Sequence, residues 1–429
     1  MSEIREQPEL TAAARAGGPV GRWRWWLALL VATGWIAAAA FPGLQKHLGI
    51  LDNGAWFLDS YAILASSDAV QQGLDPNLPN PLDVYNRPHR YSSWWLALGR
   101  LGLTRGDNFL FGVTLAGLLF VTGWLTLAPR SPGELAWSLA LLLSPPVLLA
   151  VNRANNDLVV FALLGLALWA GGKKPGLQLS LLAFSVVLAT GLKFYPVVAA
   201  GALAAAALTR RHRWLLAGTL AVCLLILFQE RAAMRMAVFP MPDGLFTFGA
   251  PVLWHVLGWQ GDWVRPASGL FLVVSGGLCL RRGWTRGLAG VSDPLGERLA
   301  FAAGAFMLTG CWLAGISFGY RWIFGIFLAP WLWRRAAAGE APARIAAVFL
   351  LVNLWSDGLY CLVTNLLLDP RSRFGVHQLE RYWVALIQAA DWVLLALLAG
   401  WLAELGLVRL REWHDGGFPA ERAPGRLPT

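Results

Sequence analysis

Charge is what this sequence has least of. Of 429 residues, 14% are Asp, Glu, Lys or Arg, against about 25% in ordinary soluble domains. The apolar set reaches 57% and mean hydropathy is +0.53, so a large water-facing surface is excluded. Aromatic residues make up 12%; disorder is excluded for most of the length, because disordered chains are poor in aromatics. Cysteine is scarce too. Cys223, Cys279, Cys311 and Cys361 lie inside apolar runs with no CxxC or Cys/His spacing, so they read as small buried hydrophobes, not disulfide or zinc ligands. Walker A, GxSxG and HExxH patterns are missing, which leaves ATP-driven transport, serine hydrolysis and zinc chemistry without a basis. What remains is a polytopic membrane protein.

Lysine and arginine exceed Asp and Glu by 35 to 25, a net charge of +10. The bases sit mostly between apolar runs, which fits a topology signal and not a nucleic-acid surface. A crossing helix needs about 20 mostly apolar residues. The first run extends from Trp25 to Phe41 behind Arg22 and Arg24; no small-residue cleavage site follows, so it reads as a retained span. Further runs cover 108–128, 134–151, 157–171, 177–192, 195–209, 213–229, 267–280, 298–316, 320–333, 343–367 and 383–408. The expectation is an all-α bundle of about ten to twelve transmembrane helices, some short enough to be re-entrant or broken. The membrane domain spans 25–408, between disordered tails at 1–24 and 409–429.

With the N-terminus cytoplasmic, the inside connections hold Arg130, Lys173–Lys174, Arg210–Arg213, Arg281–Arg286 and Arg334–Arg335, and the tail holds Arg409 and Arg411. That matches the positive-inside rule. The expected location is a bacterial cytoplasmic membrane, both termini cytoplasmic. The outside connections, led by the long loop 43–107, are chemically varied, so function is expected on that face.

In the loop, Gly54 to Val70 reads as an interfacial helix with Trp56, Phe57, Ile63 and Leu64 available to the membrane, ended by Gly73 before Asp75–Pro76. Asp52 and Asp59, seven apart, share a face if the helix starts early, and Asp68 points the opposite way. Either of the first two suits a general base, though a loop Asp is often only solvated. The turn Asn152-Arg153-Ala154-Asn155-Asn156-Asp157 is wedged between apolar runs, where so many polar groups need partners or a cavity. Asn152, Arg153, Asn155, Asn156 and Asp157 suit sugar hydroxyls or a phosphate. Asn156 or Asp157 also reads as the N-cap of the next helix. These acids and amides could hold a divalent cation, but no ligand spacing demands one. Lys193 and Tyr195 interrupt a long apolar stretch, and Tyr320 and Arg321 interrupt another. The two cations are candidates for a phosphate, with snorkelling as the plainer role for Lys193. His255, among Trp254, Trp259 and Trp263, is either a further contact or structural, and Asp369 to Arg373 reads as an exposed turn.

Three patterns together resemble the membrane-embedded GT-C glycosyltransferases, closest to family 87, the polyprenol-phosphate-mannose-dependent mannosyltransferase-like proteins. They are D-x-Y-x-x-x-A-x₇-G-x-D-P from Asp59 to Pro76; N-R-A-N-N-D at 152–157, followed by L-K-F-Y-P at 192–196; and F-G-Y-R-W-I-F from Phe318 to Phe324. The resemblance covers residues 45–335. It departs at Asn77, where a tyrosine often follows Asp-Pro, and in the basic Y-N-R-P-H-R-Y stretch. It implies a GT-C-like fold, a polyprenyl-phosphate sugar donor with a mannose-like hexose, and a glycan or glycolipid acceptor. It implies no nucleotide sugar, and a first-loop aspartate as base. By position that base is Asp59, with Asp52 in reserve. Direct attack would invert the anomeric centre, and with a single-phosphate leaving group no metal or other cofactor is expected. The rival is a transporter or flippase for a lipid-linked or small polar solute; against it, no internal repeat is visible.

Overall fold

A computed structural model describes residues 20–50, 56–170, 174–206, 209–237, 244–289, 293–367 and 373–414. The chain is an all-α, multi-pass membrane protein. Among the described residues six helices are long and apolar enough to cross a membrane: α1 (Val20–Ala40), α4 (Asn108–Leu127), α8 (Pro175–Leu192), α9 (Arg210–Gln229), α15 (Ala341–Leu367) and α16 (Arg373–His414). A bent pair, α5 (Pro132–Leu142) and α6 (Pro145–Arg153), makes a seventh span if counted as one. α1 and α9 are the least covered by protein and form the edges of the bundle.

That is fewer than the ten to twelve expected, and the reason is local. The run at 157–171 forms only the 14-residue α7 (Asp157–Ala170), and the run at 195–209 becomes the 3₁₀ segment Tyr195–Ala205. The run at 320–333 splits into the 3₁₀ segment Gly319–Phe327 and α14 (Ala329–Ala337). α12 (Val264–Arg281) and α13 (Leu295–Ala314) are long enough but less apolar. Both terminal tails lie largely or wholly outside the described residues.

The 48° bend between α5 and α6 follows from chemistry. Pro145 and Pro146 have no N–H to give the carbonyls of Leu141 and Leu142. Ser144 Oγ donates to the Leu141 carbonyl at 2.7 Å and Trp35 Nε1 to that of Leu142 at 3.0 Å. Pro196 acts similarly on α8, freeing the Leu192 carbonyl, which Trp95 Nε1 takes at 2.9 Å. Beside it the Trp94 ring lies flat on Gly191, where an added Cβ would meet ring carbon at 2.2 Å. The 3₁₀ segment Ser93–Leu101 thereby fixes the end of α8.

The loop helix α3 (Leu58–Gln71) corrects the expectation for this region. It starts at Leu58 behind a left-handed Phe57 (φ 64°), and Phe57, Ile63 and Leu64 are buried in protein, not offered to lipid. The short α2 (Pro42–His47) precedes it. Asp68, as expected, faces away from Asp59 and pairs with Arg105 at 2.9 Å. Gly73 takes φ +77° two residues after the helix.

After α9 come α10 (Arg231–Ala237) and α11 (Ala250–Val256). The one sheet among the described residues pairs β1 (Thr247–Phe248) with β2 (Ser317–Phe318), Thr247 opposite Phe318. Aromatic contacts fill the core: Phe161 stacks on Phe327 at 4.5 Å, and Phe301 lies against Trp331 and Trp401 at 4.3 and 5.4 Å. The bundle has two polar ends. Lys193 follows the last turn of α8, while Gln178, about 22 Å earlier along the helix, lines a cleft of about 600 Å³ with Arg130, Glu134, Glu297 and Arg334.

Candidate functional site

Four separate segments converge at the Lys193 end. Phe57 N–H donates to the Asn152 carbonyl at 2.8 Å, tying the start of α3 to the end of α6. Asp59, on the first turn of α3 and 3% exposed, then meets Arg153 in a two-pronged ion pair, Nε to Oδ2 at 3.0 Å and Nη2 to Oδ1 at 2.5 Å. Asn155 Nδ2 adds a third hydrogen bond to Oδ2 at 2.6 Å. Burial works to raise the Asp59 pKa, but the Arg153 charge and these hydrogen bonds outweigh it. They hold the carboxyl below the ordinary 3.8.

Asn155 also closes the α6–α7 turn. Its Oδ1 accepts from Asp157 N–H at 2.9 Å, so this side chain caps α7, not Asn156 or Asp157. The same oxygen accepts from Lys193 Nζ at 3.1 Å. Lys193 further donates to Asn156 Oδ1 at 2.6 Å and ion-pairs with Asp157, whose Oδ1 also accepts from Tyr195 O–H at 2.5 Å. The acid–cation pairs Asp59–Arg153 and Asp157–Lys193 are thus joined through one amide.

The segment after β2 closes the site. Phe318 lies against the Arg153 guanidinium at 4.9 Å and stacks on Tyr320 at 5.5 Å. Arg321 lies over the Tyr195 ring at 4.7 Å. Among the described residues no carboxylate pairs with Arg321, and its Nε is buried without a hydrogen-bond partner. Asn156 Nδ2 and Asp157 Oδ2 are likewise buried and partnerless. Two donors and one acceptor, with one uncompensated positive charge nearby, are what an anionic, hydroxyl-bearing ligand would satisfy.

The structure therefore brings together Asp59, Arg153, Asn155, Asn156, Asp157, Lys193, Tyr195, Tyr320 and Arg321. Asn152 joins the site through its backbone, while its side chain donates to Gln45 Oε1 at 2.8 Å. His255 is not in this network; it sits on α11, which packs against α16 and α12, beside the Trp254–Trp259 stack. Asp52 lies outside the described residues.

Sequence reading missed Gln45, Arg87, Tyr91 and Phe318. Arg87 forks onto Asp83 at 2.9 and 2.8 Å and donates to the Leu58 carbonyl at 3.0 Å, anchoring the first turn of α3. Tyr91 lies 5.8 Å from Lys193 Nζ, its phenol pushed well up by burial and by the Asp59 charge. Arg87 and Tyr91 fall in the Y-N-R-P-H-R-Y stretch, whose unusual basicity was the available signal.

Among the described residues no three His, Cys, Asp or Glu side chains group as a metal site. Comparisons of the chain with family models, curated proteins and solved structures return no match.

Proposed function

We propose that the chain is an integral membrane glycosyltransferase moving a hexose, mannose-like, from a polyprenyl phosphate to a hydroxyl on a glycan or glycolipid acceptor. The observation that carries this reading is Arg321, a cation that pairs with no carboxylate among the described residues, lying with Lys193 and Tyr195 in one network with the ionised Asp59. A site with a cation that pairs with no carboxylate among the described residues at one side, and a carboxylate at the other, fits a departing phosphate and an attacking alcohol.

In this reading Asp59 accepts a hydrogen bond from the acceptor hydroxyl and takes its proton as the oxygen attacks the anomeric carbon. The bond to the phosphate oxygen breaks with its electron pair, and Lys193, Arg321 and Tyr195 receive the developing charge. The attack comes from the face opposite the phosphate, so the anomeric centre inverts. Paired with Arg153, Asp59 is ionised at neutral pH but weakly basic. A donor phosphate that draws Arg153 toward itself strengthens the base when the substrate is in place. Asn156 and Asp157 offer their free atoms to sugar hydroxyls. The positive-inside rule supports an extracytoplasmic position for this end of the bundle, where a lipid-linked donor would serve and a nucleotide sugar would not.

A cation-driven transporter is the second reading, and the buried Asp391 in α16 is the feature that favours it. The deciding assay gives membranes containing the protein a panel of labelled polyprenyl-phosphate sugars and follows label into endogenous acceptor. Transfer from at least one donor is expected. Failure with every donor, together with label-free solute uptake, would replace this reading with the second.

A further inference from the structure

Asp391 lies in the span that covers Leu379–Glu412, is 1% exposed, and has neither carboxylate oxygen hydrogen-bonded. Among the described residues no lysine, arginine or histidine pairs with it. A bare carboxylate in such surroundings is among the costliest things a membrane protein can contain, so something other than a protein side chain neutralises it.

The neighbourhood is rich in uncommitted oxygen. Gln388, one turn earlier on α16, gives its Nε2 to the Thr247 carbonyl at 3.1 Å and leaves Oε1 buried and free. From α15, Asp357 accepts Phe246 N–H at 2.8 Å. Asp357 and Gln388 thus hold two consecutive residues of one backbone segment. Asn353, one turn from Asp357 on the same face, has both amide atoms buried and partnerless, as has Ser356 its hydroxyl. The ring contact of Tyr360 with Trp383 at 5.4 Å sets the antiparallel register; two turns on, it puts Asn353 level with Asp391.

The ionisable groups facing this point are few. Asp357 is the charge that acts on Asp391, and Glu380 acts in turn on Asp357. From α11, α12 and α13 the facing groups at the next residue, Trp392, are aromatic: Trp254 at 5.6 Å, Phe271 at 4.4 Å and Trp312 at 5.1 Å. Among the described residues no three acidic, histidine or cysteine side chains gather there, which gives no ligand set for a divalent metal. Asp357 has a backbone N–H to stabilise it, while Asp391 has no protein donor, so the carboxylate that lacks a partner is Asp391.

We propose that Asp391, with Gln388 and Asn353 beside it, is an intramembrane site for a monovalent cation, Na⁺ or H⁺. It is independent of the reaction proposed above, since none of its residues belongs to the Asp59 network. It does touch that network mechanically: Asp357 and Gln388 hold Phe246 and Thr247, and Thr247 pairs with Phe318, which lies on Arg153.

The test uses the full chain in lipid nanodiscs, labelled with dicyclohexylcarbodiimide, an apolar reagent that attacks protonated carboxyl groups, with peptide mass spectrometry to locate adducts. Thermal unfolding is followed in parallel for wild type and Asp391→Asn, over Na⁺ concentration and pH. Labelling of Asp391 suppressed by Na⁺ at fixed pH, with a Na⁺-dependent rise in Tm absent from Asp391→Asn, is expected if Na⁺ is the occupant. Labelling that falls with rising pH and ignores Na⁺, with a pH-dependent Tm shift absent from the variant, is expected if the proton is. Wild type and Asp391→Asn responding identically to both ions would overturn the proposal, whatever the labelling.

Discussion

Asn155 Nδ2 donates to Asp59 Oδ2 at 2.6 Å across 96 residues of sequence. Its other amide atom accepts from Lys193 and from the N–H of Asp157. One side chain thus caps a helix, orients the candidate base and links two ion pairs. Asn155→Asp would put a second carboxylate against Asp59, and Asn155→Ala would leave Asp59 one donor short. The alanine variant should lower transfer about 10-fold or more while costing about 1–3 kcal/mol of stability; transfer and thermal unfolding measured together check both.

The Asp59–Arg153 pair makes a prediction about acid. Asp59 titrates lower in the folded protein than its ordinary 3.8, so its stabilising contribution is complete above that value and disappears as pH falls through the folded one. Arg153→Gln strands a buried carboxylate and should cost about 3–5 kcal/mol at neutral pH, a loss that shrinks as acid protonates Asp59. Unfolding midpoints of wild type and variant should converge on acidification; a constant gap would refute the pairing.

Lys193 and Asp157 form the second pair. Lys193→Met alone takes the ion pair from buried Asp157, leaving it the Tyr195 hydroxyl and the more distant Arg321 charge, and should destabilise. Adding Asp157→Asn should restore much of the stability but not transfer, because the cation expected at the phosphate is still missing. A double-mutant cycle separates these effects.

Much of this site was legible because the polar residues break apolar runs: 152–157, 193–195 and 320–321 stand out in a sequence with 14% charge. Asp59 was harder to place, since a loop aspartate carries no periodic signal. Gln45, Arg87 and Tyr91 reach it only through tertiary contacts. The span count came out high because hydropathy is blind to 3₁₀ breaks such as those around Pro196 and Leu328. The same blindness hid Asp357 and Asp391 inside runs read as plain spans. Ile63 and Leu64 were read as lipid-facing because a hydrophobic face of a loop helix looks the same whether bilayer or protein covers it.

Arg321 should act on the donor. Arg321→Met removes a cation that pairs with no carboxylate among the described residues, so stability should change little. Loss of a charge-assisted contact of about 1.5–3 kcal/mol should raise the donor KM about 10- to 100-fold. Lysine at this position should recover part of it. An unchanged KM would remove Arg321 from the phosphate site.

The central claim is that Asp59 removes the acceptor proton and does not hold the donor. Wild type and Asp59→Asn, at equal protein level in nanodiscs, would be compared for binding of the active labelled polyprenyl-phosphate sugar and for its transfer. Binding within about twofold of wild type is expected, with transfer reduced about 10²- to 10⁴-fold, the usual range for losing a general base. Transfer by Asp59→Asn at the wild-type rate would contradict the claim and shift the role to Asp52.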